Sequence, residues 1–147
     1  MYTRILVGVD GSEHAGHALR HAAGLAKALG AVLRIVHVVD MGWLPAAPEL
    51  GLDVAKVSAA RRADGEAVLA SAAQAARATG AAAETRLIET ETPNQPPAAA
   101  LVDEAAFWPA DLIVLGAHGR RGVERLLLGS TADGVARRSG IPVLLVH

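Results

Sequence analysis

Cysteine is absent from this 147-residue chain, which excludes disulfides, thiolate metal ligands and cysteine nucleophiles. Aromatic residues make up only 3%, too few for the stacking platforms on which single-stranded nucleic acids are held. A dominant charge is missing as well. The formal net charge is −1, whereas nucleic acid and anionic membrane surfaces demand a basic field, so neither is an expected partner. No apolar run approaches the length of a membrane span, and the five-residue stretch after Met1-Tyr2-Thr3-Arg4 is too short for a signal peptide. The expectation is one domain over residues 1–147, large enough to bury a core and located in the cytoplasm.

Hydrophobic residues account for 52% of the chain, and they alternate between two periods. Ile5 to Val9, Ala31 to Val39, Asp111 to Leu115 and Ile141 to Val146 are Val- and Ile-rich runs that predict strands buried on both faces. Ala82 to Glu89 alternates polar and apolar residues and predicts an edge strand with one wet side. Ser12 caps a predicted first helix that Gly30 stops. Ala15, Ala18, Leu19, Ala22, Leu25, Ala26 and Leu29 gather on its buried side, with Glu13, His17, Arg20 and Lys27 opposite. His14, His17 and His21 read as part of the solvated face, with no carboxylate in register for a metal. Further helices are predicted from about Val54 to Thr79, from Ala98 to Phe107 behind Pro96 and Pro97, and from Thr131 to Ser139 before Gly140. Met41 to Gly51 and Thr90 to Pro97 read as loops, and Trp43 and Trp108 as packing residues. The alanine bias reads as a compositional habit.

The alternation β-α-β-α-β-α-β-α-β implies an α/β three-layer sandwich around a five-stranded parallel sheet. Strand three is half polar, and strand five carries Pro142, which cannot donate to a ladder. With those two at the edges the order is 3-2-1-4-5, a Rossmann-like arrangement. Ligands of such sheets bind beyond the carboxyl ends of the strands where the order reverses, here between strands one and four. That singles out Val9-Asp10-Gly11-Ser12 and Gly116-Ala117-His118-Gly119. Gly116 and Gly119 are expected to let the backbone approach a ligand. Gly129-Ser130-Thr131 opens the last helix, whose unsatisfied amides and positive dipole end suit an anion. Arg120 and Arg121 lie between and could meet phosphates.

The spacing Gly116-x2-Gly119-x9-Gly129-Ser130 resembles the glycine signature of the ATP-binding branch of the universal stress protein family. Ile5 to Ser12 is similar to that family's first strand and Asp-x-Ser turn, and Ser130 to Val146 to its last helix and strand, so the resemblance spans the chain. It implies an adenine nucleotide α-hydrolase-like fold that binds ATP, usually with a divalent cation such as Mg²⁺. Asp10 would contact ribose, with Gly8 and Val9 under the nucleoside and Val38 reading adenine through its backbone. Leu115, Gly116, Gly119, Gly129, Ser130 and Thr131 would lie on the phosphate side, with His118 and Arg120 nearby. It also implies a homodimer through strand five, Val143-Leu144-Leu145-Val146. The family usually has a glycine and one proline ahead of helix three; Thr90-Glu91-Thr92-Pro93-Asn94-Gln95-Pro96-Pro97 departs from that pattern.

The reading is a nucleotide-binding stress-response regulator. Two alternatives stand beside it: a slow ATPase or nucleotide-transferring enzyme, and a nucleotide-free interaction module. The chain lacks a P-loop lysine, the Ser-Gly-Gly-x-Asp-Ser pyrophosphatase loop and a plain general base for the γ-phosphate. The intact glycine signature weighs against the nucleotide-free alternative.

Overall fold

The computed structural model describes residues 1–42, 48–90, 92, 94–118 and 127–147. Strands β1 (Arg4–Gly8), β2 (Val32–Asp40), β3 (Ala82–Thr90), β4 (Leu112–Gly116) and β5 (Val143–Val146) form one parallel sheet in the order β3-β2-β1-β4-β5. Helices α1 (Glu13–Leu29), α2 (Val54–Ala78), α3 (Pro97–Phe107) and α4 (Ser130–Arg138) connect them. Trp43 and residues 44–47 of the first long loop, residues 91 and 93 of the second, and Gly119, Arg120 and Arg121 lie outside the described residues.

The central strands divide their apolar side chains between two cores, as the period of two requires. Ile5, Val7, Leu33, Ile35, Leu112 and Val114 pack against α1 and α2. Leu6, Val36, Ile113 and Leu115 meet Ala98, Leu101, Ala105 and Val135 of α3 and α4. The alanines have structural work here: Ala15, Ala18, Ala22, Ala23 and Ala26 form most of the buried face of α1, and their small side chains seat it close on the sheet.

Local chemistry sets the element ends. The Ser12 hydroxyl accepts from the Ala15 amide at 3.2 Å, and Gly30 ends α1 at φ 66°. Asp53, which the sequence reading passed over, caps α2 through the Lys56 amide at 3.3 Å. β5 starts at Val143, later than expected, because Pro142 has no N–H; its carbonyl still accepts from Ile113 at 3.0 Å. On β3 the polar side is occupied by ion pairs. Arg34 on β2 binds Glu84 at 2.9 Å and the buried Glu104 of α3 at 2.7 Å. The Arg34 guanidinium also lies 4.5 Å from the centre of the Trp108 ring, so Trp108 packs against a cation.

β4 starts at Leu112 because Asp111 turns back to hold the start of β1. Its carboxylate accepts from the Thr3 amide at 2.8 Å, the Thr3 hydroxyl at 3.0 Å and the Arg4 amide at 3.1 Å. Desolvation alone would raise this carboxyl, but those hydrogen bonds together outweigh it and hold it below the ordinary aspartate value. A group with a lowered folded pKa stabilises the fold above its unfolded value, and the gain is lost as pH falls through the folded value. Asp111→Asn is therefore expected to cost about 1 kcal/mol at pH 7. The gap to wild type should shrink when denaturant titrations are repeated near pH 3. An equal gap at both pH values would show that the ionised carboxylate is not the stabilising form.

Candidate nucleotide site

The predicted crevice is present. A cleft of about 780 Å³ opens beyond the carboxyl ends of β1, β2 and β4, between the entrances of α1, α3 and α4. Such a volume suits a small organic ligand of nucleotide size. Gly8, Val9 and Asp10 line it after β1, Val38 from β2, Leu115, Gly116 and His118 from the end of β4, and Gly129, Ser130 and Thr131 from the start of α4. Those ten positions, scattered from 8 to 131, are brought to one hollow. The remaining two expected residues, Gly119 and Arg120, fall outside the described residues.

The base end of the cleft has an open sheet edge. The register of β1 with β2 stops at Gly8 opposite Val36, and the Val9 amide donates to the Val36 carbonyl at 2.9 Å. Backbone groups repeat every second residue, so the N–H and C=O of Val38 turn to that same side, past the end of β1. The Val9 carbonyl, which would otherwise continue the ladder, accepts from His37 Nδ1 at 2.7 Å. His37 is held in turn beneath Gly65 of α2, where an added Cβ would lie 3.0 Å from its ring. Beyond the end of β1, the N–H and C=O of Val38 therefore face the cleft as one donor and one acceptor on a single edge.

Asp10 sits half-buried at the turn, with one carboxylate oxygen accepting from the Ser12 amide at 2.9 Å. That bond orients the group while its other oxygen remains an acceptor for hydroxyls. Opposite stands the α4 terminus. Gly129 is the N-cap and has no side chain to cap the helix, so the amides that follow it have no side-chain acceptor. Two contacts aim this terminus at the cleft: the Gly129 amide donates to Ala117 O at 2.8 Å, and α4 closes on α3 through Gly134, where a Cβ would meet Ala98 at 2.6 Å. An anion placed here would meet backbone donors and the positive end of the helix dipole.

Two expectations need correction. Gly116 lines the cleft, but its missing side chain does not make room for a ligand. A Cβ there would lie 2.9 to 3.1 Å from the backbone of His14 and Ala15, so the glycine exists to admit the first turn of α1. Strand parity explains this, because Gly116 shares its face with Leu112 and Val114, which pack under α1. Nor is His14 simply part of a solvated face. It is half-buried with its ring centre 5.0 Å from that of the buried His118; His17 is half-exposed and His21 exposed.

Sequence reasoning missed several walls of the cleft: Asp40 from β2, Arg61 from α2, Pro96, Pro97, Ala98 and Leu101 from the start of α3, and Arg138 from α4. The proline pair ahead of α3 was a usable signal. Arg61 and Arg138 carry none, because a helix wheel reports burial and not proximity to a distant strand end. Among the described residues no three His, Asp or Glu side chains converge on a metal position. Also among them, no helix is long and apolar enough to cross a membrane.

Comparison with known proteins agrees with this architecture. A universal stress protein from Methanocaldococcus jannaschii is 32% identical over 146 residues, covering 99% of this chain and 82% of that protein. A solved universal stress protein in complex with cAMP is 33% identical, with a TM-score of 0.71 and coverage of 99% of this chain and 97% of that one. Another, from Archaeoglobus fulgidus in complex with dAMP, is 26% identical, with a TM-score of 0.73 and coverage of 99% and 98%. The model of the universal stress protein family matches residues 1–147 from end to end, and the chain belongs to that family.

Proposed function

We propose that this chain binds an adenine nucleotide, ATP in the first place, and acts as a nucleotide-dependent regulator in the cytoplasm. The observation that carries the reading is the pairing of an open Val38 backbone edge with the uncapped α4 terminus across one cleft at the sheet's reversal. The edge suits the amine and ring nitrogen of adenine, Asp10 the ribose hydroxyls, and the amides after Gly129 the phosphates. Arg120 belongs to the same reading through its place in the glycine signature. The cAMP and dAMP complexes of related proteins support adenine as the base.

The donors present fit Mg²⁺ only as a companion of the phosphates. Asp10, Ser130 and Thr131 offer one carboxylate and two hydroxyls, and Mg²⁺ is commonly held by one or two carboxylates together with substrate phosphates. Bound so, it would neutralise phosphate charge. We read the activity as binding with at most slow hydrolysis. The cAMP complex favours a second ligand, the cyclic monophosphate, which would use the same base edge and ribose contacts.

A homodimer through β5 completes the proposal. Among the described residues β5 pairs only with β4, so Val143-Leu144-Leu145-Val146 presents an apolar outer edge, with Leu144 exposed.

Calorimetric titration of nucleotide-stripped protein with ATP and Mg²⁺, and separately with cAMP, tests the reading. Saturable binding at one site per chain is expected, with adenine nucleotides identified by mass spectrometry in material not stripped beforehand. A folded protein that binds neither ligand would leave the nucleotide-free interaction module as the better reading.

A further inference from the structure

Two consecutive arginines end α4, and the turn before them treats each differently. Arg137 pairs at 2.9 Å with Asp133, four residues back. Arg138 has a glycine at the corresponding place, and its Nη1 donates to the Gly134 carbonyl at 3.3 Å. The missing side chain admits it: a Cβ on Gly134 would lie 3.0 Å from Arg138 Nη1 and 2.6 Å from the Ala98 Cβ. Glycine inside a helix is unfavourable, and here the space it leaves is filled by a guanidinium and by the entrance of α3. Arg138 is thereby folded back toward the N-terminus of α4, and it lines the same cleft as Pro96, Pro97 and Ser130. Among the described residues no carboxylate forms an ion pair with Arg138. One of the five N–H donors of its guanidinium is committed to Gly134.

We propose that Arg138 takes the terminal phosphates of a linear adenine polyphosphate, and so makes this site select ATP over nucleotides that end at the α-phosphate. This rests on the nucleotide reading above and adds a specificity-determining residue to it. Distance along the helix decides which ligands can reach the guanidinium. A helix rises about 1.5 Å per residue, so the level of Gly134, where Arg138 is pinned, lies about 6 Å along α4 from the Ser130 amide. An α-phosphate on the first amides of α4 leaves that span uncovered. AMP and cAMP stop there. The β- and γ-phosphates of ATP continue along the wall and bring negative charge to a cation that has no acidic partner among the described residues. A guanidinium fork binds phosphate oxygens in pairs. Its anchorage on Gly134 reduces the side-chain ordering that binding would otherwise require.

The test titrates ATP, AMP and cAMP, each with Mg²⁺, into nucleotide-stripped full-length wild type, Arg138→Ala and Arg138→Lys. The three ligands share base, ribose and α-phosphate, so general damage to the cleft weakens all of them, whereas loss of the Arg138 contact weakens ATP alone. Arg138→Ala is expected to lose about twentyfold in ATP affinity, within the range of a charge-assisted contact, and to hold AMP and cAMP within about twofold of wild type. Arg138→Lys should lose about fivefold for ATP, because an ammonium keeps the charge and lacks the fork. Arg138 is exposed, so both variants should fold, and thermal unfolding of the same samples checks this. An equal loss for long and short ligands, or no loss for any, would overturn the role of Arg138 and leave the nucleotide reading intact. Wild type that binds AMP as tightly as ATP would overturn it as well. Folded wild type that binds none of the three would remove the nucleotide reading and this proposal with it.

Discussion

Gly129→Val should fold and lose nucleotide affinity by about a hundredfold, close to 3 kcal/mol of binding free energy. Gly129 lies buried in the wall of the cleft at φ −59° and ψ 154°, a backbone conformation that any residue adopts. Valine therefore brings no strain of its own, and its branched side chain takes space from the point where phosphates would meet the α4 amides. A modest stability loss of about 1 kcal/mol is expected from the poorer N-cap, visible as a Tm lower by about 3 °C. Calorimetry and thermal unfolding on one preparation separate the two effects. Unchanged ATP affinity in the folded variant would show that the α4 terminus is not the phosphate site.

The same substitution at the first glycine of the signature should have the opposite character. Gly116→Val is expected to destabilise the fold by about 3 kcal/mol or more, at the upper end of overpacking costs, and to lower Tm by about 10 °C. A Cβ at Gly116 meets the carbonyl carbon and oxygen of His14 and the amide of Ala15 at 2.9, 3.0 and 3.1 Å. These are backbone atoms within a capped helix, so they cannot swing aside as a side-chain end would. Relief requires moving the whole first turn of α1, and with it Asp10, Ser12 and His14. Denaturant unfolding reads the effect directly. A Gly116→Val protein as stable as wild type would mean that α1 is free to lift from β4. Of two glycines in one signature, Gly116 leaves room for a helix, whereas the proposed role of Gly129 is to leave room for phosphates.

That contrast marks the boundary between local and tertiary information. Residue order alone determined the elements, their parallel arrangement and the sheet order 3-2-1-4-5, because strand burial, proline at an edge and helix caps are written within a few residues of where they act. It also indicated where a cleft would open, since the reversal between strands one and four follows from the order itself. Strand parity was legible as well: Gly116 and His118 have the register of Leu112 and Val114, so both point to the α1 side.

Only the packed structure decided what those residues meet. The approach of α1 that consumes the space at Gly116, the meeting of His14 with His118, and the arrival of Arg138 and Arg61 at the cleft depend on how deeply each helix seats. Buried alanines on α1 and Gly134 on α4 set that depth through contacts between segments far apart in the chain. The ion-pair set of Arg34, Glu84 and Glu104 is of the same kind, joining three elements across 70 residues. Periodicity reports which side of an element is buried. Distances between side chains on different elements exist only once those buried sides have been pressed together.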